Sequence, residues 1–194
     1  APVPGSCFWR LPSNSGSITA KSNRYNKIVA YSKSRRKEAA AARQTEEKRR
    51  YPKTPVVGIG AIILCRGRVL LVERARPPAR GQWSLPGGVL EPGERLEDGV
   101  RREVLEETGL RVKPEKIFEV AERIIRDGRG RLEYHYVLID FLCRVDGGRL
   151  RASSDAARVE WVAEPELDRR PMTEGTLEVI RRAFRARRRR RSAR

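Results

Sequence analysis

With His135 as its only histidine, the chain cannot build a multi-histidine metal centre by itself. Cysteine is nearly as scarce: Cys7, Cys65 and Cys143 are far apart, odd in number and without the paired spacing of a zinc site. They read as reduced thiols, with Cys65 and Cys143 in core strands. No hydrophobic run approaches the roughly 20 apolar residues of a membrane-spanning helix, so no membrane partner is expected. Acids are missing from the first 37 residues, where Ser, Asn, Lys and Arg are frequent. That bias has two readings: a transit peptide for mitochondrion or plastid, or a disordered basic extension on a cytoplasmic protein. The chain begins at Ala1 with no initiator Met, which reads as a processed or incomplete start.

A length of 194 residues suits one domain with extensions. Net charge is +18, but it is unevenly spread. Residues 1–55 carry 13 Lys/Arg against 3 acids, residues 56–180 carry 21 against 22, and residues 181–194 carry 9 against none. The basic character therefore belongs to the flanks, and the centre must be read from its own residues.

The run from Ser34 to Arg50 is rich in helix formers but has only alanines to bury, so any helix there is solvated. Prolines at 52 and 55 break it, which divides the chain into a basic extension (1–54), a domain (55–185) and an arginine-rich tail (186–194). Val56–Cys65 and Val69–Val72 are apolar runs joined by Arg66-Gly67 and predict a buried hairpin. Gly58-Ile-Gly60 is no dinucleotide loop, because it lies inside the strand and position 63 is Ile. Two strands, Ile117–Ile125 and Leu132–Cys143, flank a turn at Asp127–Gly130, and Asp146–Gly148 predicts another turn. Val159–Val162 predicts a short strand, and Thr173–Arg185 a helix with Leu177, Ile180 and Phe184 on one face. Strands interleaved with two helices make an α/β domain.

The segment 88–110, GVLEPGERLEDGVRREVLEETGL, is the most informative. A helix should run from Leu96 to Thr108 and stop at Gly109, with Leu96, Val100 and Val104 as its buried stripe. Glu103, Glu106 and Glu107 stand at i, i+3 and i+4, which gathers three like charges on a neighbouring face. Glu-rich helices are usually just solvated. Here a divalent cation such as Mg²⁺ or Mn²⁺ would relieve the repulsion, since it prefers carboxylate, carbonyl and water oxygens. Arg102 is placed to pair with Glu106, and Gly87-Gly88 lets a loop approach a metal or phosphate closely. Arg74 and Arg80 flank a Pro-Pro loop before this segment, where they either bind substrate phosphates or are solvated.

Gly88, Glu94, Arg102-Glu103-Val104, Glu106-Glu107 and Gly109-Leu110 match the Nudix signature at every defined position, and the chain resembles the Nudix hydrolase family over roughly residues 56 to 185. Trp83–Gly88 and Glu160–Val162 extend the likeness. The resemblance implies an α/β/α sandwich around a mixed β-sheet, and hydrolysis of a nucleoside diphosphate linked to another moiety. It implies Glu103 and Glu107 as metal ligands, Glu106 as a further ligand, the Gly87 carbonyl as an added oxygen, and Glu94 in support. It places the general base in the loop before the Trp161 strand, where Asp155 stands, with Glu133 as second candidate. Failing both, a box glutamate, Glu103 or Glu106, takes the catalytic role. Tyr134–Phe141 looks most like ADP-ribose pyrophosphatase-type members, although a proline that marks many of them is replaced by Ile125 and Arg126. Expected partners are a small nucleotide substrate and, as in many relatives, a second copy in a homodimer. The alternative reading is a Nudix-fold binding protein held to RNA or a ribonucleoprotein by its basic arms, with Arg187–Arg191 as the densest patch.

Overall fold

The computed structural model describes residues 49–75, 79–152 and 156–192. The solvated run before Arg49, Cys7 and Asp155 lie outside the described residues. Strands β1 (Val56–Cys65) and β2 (Arg68–Arg74) are followed by the short β3 (Trp83–Ser84) and β4 (Gly87–Val89). Helix α1 (Leu96–Thr108) leads into β5 (Leu110–Arg126), β6 (Leu132–Gly148) and β7 (Ala156–Ala163). A 3-10 turn (Glu164–Arg169) and α2 (Thr176–Ser192) complete the order.

β1 and β2 form the expected hairpin, with Leu64 opposite Val69 and Cys65 opposite Arg68. Arg66 and Gly67 both take positive φ in its turn. The sheet is mixed, because β1 also runs parallel to β6, with Gly60 opposite Asp140. β1 shares its other edge between two partners: β4 pairs with Gly58–Gly60, and β2 with the far end. The strand thus forks the sheet into a leaf of β1, β4, β6 and β5 and a leaf of β2, β3 and β7.

Period-2 alternation along β1 sends side chains to opposite faces. Ile59, Ala61 and Ile63 join Leu70, Val100, Val104 and Phe141 in the core beneath α1. On the other side, Ile62 packs with Val179 and Ala183 of α2. Val69, Leu71 and Trp83 meet Ile180 and Phe184 of the same helix. Helices therefore cover both faces, which is the α/β/α arrangement expected. No helix among the described residues is long and apolar enough to cross a membrane.

Several boundaries differ from the sequence-based expectation. The glycines of Asp146–Gly148 do not make a turn; Gly147 and Gly148 take positive φ inside β6 and pair with Arg111 and Leu110, so both long strands extend. α2 starts at Thr176 because the backbone of Thr176 and Gly175 is spent in a turn from Thr173. It then runs on through the arginine tract, whose residues are good helix formers. Cys143 is buried as expected, and burial pushes its thiol up to about 12. Cys65, however, ends β1 at the hairpin and is exposed. Leu96 is only partly buried, so the inner stripe of α1 is Gly99, Val100, Val104 and Thr108.

Candidate active site

Three elements meet where the glycine loop crosses α1. β4 rides on β1, with Gly88 opposite Ile59 and Gly87 opposite Gly60, and the Ala61 amide donates to the Pro86 carbonyl at 2.9 Å. This fixes the loop backbone to the central strand. α1 is held alongside because Gly99 has no side chain: a Cβ there would press on Ile59 and stand 2.8 Å from Glu94 Oε2. Gly109, at φ 70°, ends the helix with its amide donating to the Leu105 carbonyl, as its position predicted.

The carboxylates then take distinct places. Glu103 fills the volume that a Gly88 side chain would need. Burial pushes its carboxyl above the usual range, while hydrogen bonding and the charge of Arg102 pull it back. Glu107 reaches the same loop and accepts the Gly87 amide hydrogen at 2.9 Å. Glu106 points outward, its side chain 62% exposed. Arg102 grips Glu94 in parallel, Nε to Oε1 and Nη2 to Oε2, both at 2.9 Å, and also donates to Glu103 at 2.8 Å and to the Val89 carbonyl at 3.1 Å. The anticipated Arg102–Glu106 pair is the loosest, at 3.7 Å. The Arg102 guanidinium holds the Glu94 carboxyl below the ordinary carboxylate range.

These donors fit a hard divalent cation. Glu103, Glu107 and the Gly87 carbonyl offer oxygen donors around a cradle kept open by glycine, and the exposed Glu106 side chain stands beside them on α1. No three His, Cys, Asp or Glu among the described residues already stand together as a cation site. To gather around one cation, these side chains would have to rotate.

Other expected residues fall further away. Arg74 sits at a bulge ending β2, with its Nε buried and without a hydrogen-bond partner among the described residues. Its amide donates to the Gln82 carbonyl, and its own carbonyl accepts from Gly81. Arg80 is exposed in the adjoining turn. No described hydrogen bond joins either arginine to the box glutamates. Glu133, the second candidate base, lies away from the box: it pairs with Arg50 at 2.8 Å, and seven steps along β6, about 23 Å of strand, separate it from Asp140 beside Gly60.

Two features were missed. Asp140 lies over the floor that Gly60 leaves open, and a Gly60 side chain would collide with its carboxylate. Burial, then the neighbouring Glu119 charge, pushes it up to about 6 against a weaker pull from Arg123. A single acid in the apolar run VLIDFLC, opposite a Gly-x-Gly strand, was the available signal. The second is Trp83, held between Arg158 at 5.4 Å and Arg170 at 4.5 Å from its ring centre. Glu73 and Glu160 hold those arginines in turn, at 2.5 Å and 2.6 Å.

A forked mixed sheet between helices, with a carboxylate helix clasping a glycine loop, defines a class of hydrolases acting on phosphoanhydrides. A model described as the NUDIX domain matches residues 53–183, and the chain belongs to the Nudix hydrolase family. It is 39% identical over 107 residues to an ADP-ribose pyrophosphatase of Methanocaldococcus jannaschii, covering 55% of this chain and 61% of that protein. A MutT-like protein of Streptomyces ambofaciens is 36% identical over 127 residues, covering 66% of this chain and 75% of its own length. Among solved structures, a MutT NUDIX hydrolase from Burkholderia pseudomallei superposes with a TM-score of 0.59 at 31% identity, over 66% of this chain and 98% of that one.

Proposed function

We propose that the chain is a Mg²⁺- or Mn²⁺-dependent pyrophosphohydrolase that cleaves the diphosphate of a nucleoside diphosphate joined to a second moiety, with ADP-ribose as the first substrate to test. The observation that carries this reading is the clasp of Glu103 and Glu107 on Gly87-Gly88. Glu103, Glu106, Glu107 and the Gly87 carbonyl would hold the cation, which when bound neutralises phosphate charge and lowers the pKa of a water.

The chain's own residues do the positioning. Glu107, by accepting the Gly87 amide, orients the loop peptide, and Glu94 acts through Arg102 to hold Glu103 in its cradle. The unpartnered Arg74 Nε suits a phosphate oxygen. Asp155 stays the candidate base, since it stands in sequence just before β7. The named activity of the Methanocaldococcus jannaschii relative favours ADP-ribose. A human relative, 8-oxo-dGDP phosphatase NUDT18, 40% identical over 88 residues, keeps damaged nucleoside diphosphates in the panel.

The test is product analysis with purified protein. AMP should form from ADP-ribose with Mg²⁺ or Mn²⁺ and not with chelator, and Glu106→Gln or Glu107→Gln should cut the rate by about 100-fold or more. No turnover of any member of a panel of nucleoside diphosphate conjugates, 8-oxo-dGDP and nucleoside triphosphates would overturn the proposal.

A further inference from the structure

On the sheet face opposite α1, a second recess of about 250 Å³ opens between α2 and the β5–β6 pair. Its floor is apolar, made by Leu64, Phe118, Leu142 and Ala183. Its rim is cationic: Lys116 and Arg144 from the sheet, Arg187 and Arg190 from the helix, against one acid, Glu115. Ala183, Ala186, Arg187 and Arg190 stand at i, i+3, i+4 and i+7, so a single face of α2 supplies the whole helical wall. Leu64 lies four residues along β1 from Gly60, about 13 Å, so this recess is separate from the glutamate box.

Of the arginine tract, Arg187 is anchored at this recess, and the charge of the tract is only partly spent. Arg181 pairs with Asp168 at 2.6 Å, Arg188 with Glu164 at 2.5 Å, and Arg187 donates to the Leu64 carbonyl. Among the described residues the side chains of Arg185, Arg189 and Arg190 have no ion-pair or hydrogen-bond partner, and Glu115 reaches Arg144 only at 3.7 Å. Converging cations with one weak counter-charge repel, and an anion relieves them.

We infer that this recess is a binding site for single-stranded RNA, taking a phosphate on the Lys116–Arg144–Arg187–Arg190 rim and a base against the apolar floor. Four cations, Lys116, Arg144, Arg187 and Arg190, converge on the recess against the single acid Glu115, which suits a polyanion better than one phosphate. Guanidinium forks match phosphate oxygens, and the Phe118 ring, with Lys116 above it at 5.9 Å, gives the floor a π face. A flat membrane surface would reach the rim but not the floor. The site is independent of the hydrolytic one.

The experiment uses the full chain and a fluorescein-labelled oligouridylate, followed by anisotropy over a salt series. Lys116→Glu/Arg190→Glu should weaken binding about tenfold or more and reduce the salt slope by about 1.4, or 0.7 for each of two lost contacts. Arg129→Glu/Arg149→Glu changes net charge equally at two exposed arginines away from the recess and should change binding far less. Hydrolysis of small substrates should be equal in both double variants, which shows that each is folded. Equal RNA affinity in the two double variants would overturn the proposal. So would displacement of the RNA by polyglutamate of matched charge, or by uridine monophosphate at the same concentration per nucleotide, because either would mean a site not built for an RNA strand.

Discussion

Arg102 and Glu94, eight residues apart in sequence, close two parallel hydrogen bonds that join the start of the box to the middle of α1. Such a bidentate pair fixes both position and orientation, and a lysine cannot reproduce its fork. Arg102→Lys should therefore destabilise the domain by about 1–2 kcal/mol. Urea unfolding measures it, and an unchanged midpoint would show that the pair contributes nothing. Hydrolysis should fall as well, since Glu103 loses the donor that holds it.

Gly88→Ala separates the loop from the fold. The added methyl would enter the Glu103 carboxylate, the far end of a flexible side chain, so the domain can accommodate it by swinging Glu103 away. The expectation is a native circular dichroism spectrum with kcat/KM lowered by about 100-fold or more, in the range of losing one positioned catalytic group. Near-parental activity would show that Glu103 needs no glycine cradle.

Asp140 gives stability a pH dependence of known sign. Its carboxyl sits at about 6 in the folded state against an ordinary 3.8, so the folded chain holds this proton more tightly than the unfolded chain. The contribution of this group is therefore most favourable below pH 3.8, declines as pH rises towards 6 and is constant above, with a ceiling of roughly 3 kcal/mol. Asp140→Asn should raise Tm at pH 7 relative to the parent, with the gap closing towards pH 4. Thermal scans across that range check it, and a variant less stable than the parent at pH 7 would refute burial as the cause.

Much of this was legible in the sequence, for reasons that can be assigned residue by residue. The hairpin, α1 and its Gly109 stop follow from local periodicity and backbone preference, which need no partner to express themselves. The convergence of Glu103, Glu106 and Glu107 on one face of α1 and the close approach permitted by Gly87-Gly88 were expected from spacing, but the contact of Glu103 and Glu107 with that loop was not. What escaped depends on residues far apart in sequence. Arg102 turned from Glu106 to Glu94 because Glu94 offers a bidentate acceptor beside the helix, and only the folded loop brings it there. Glu133, away from the box, is taken up by Arg50, a partner 83 residues distant. Glycines at 147 and 148 read as a turn, yet two neighbouring strands recruited them into a ladder. Cys65 followed an apolar run that ends one residue before the chain reaches water.

The fork in β1 divides the sheet into a part that carries the glutamate box and a part that stands beside it. β4 and α1 both lean on β1, so the loop, the glutamates and the central core share one template, and a one-residue shift there would displace them together. Arg74, Trp83 and Arg158 belong to the other leaf, which pairs with β1 only at the hairpin end, while its Leu70 packs with Ile59, Ala61 and Ile63 beneath α1. Exchanging the side chains of Arg74, Trp83 or Arg158 would therefore leave the backbone register of the glycine loop untouched, so the surroundings of the box can change without moving its carboxylates.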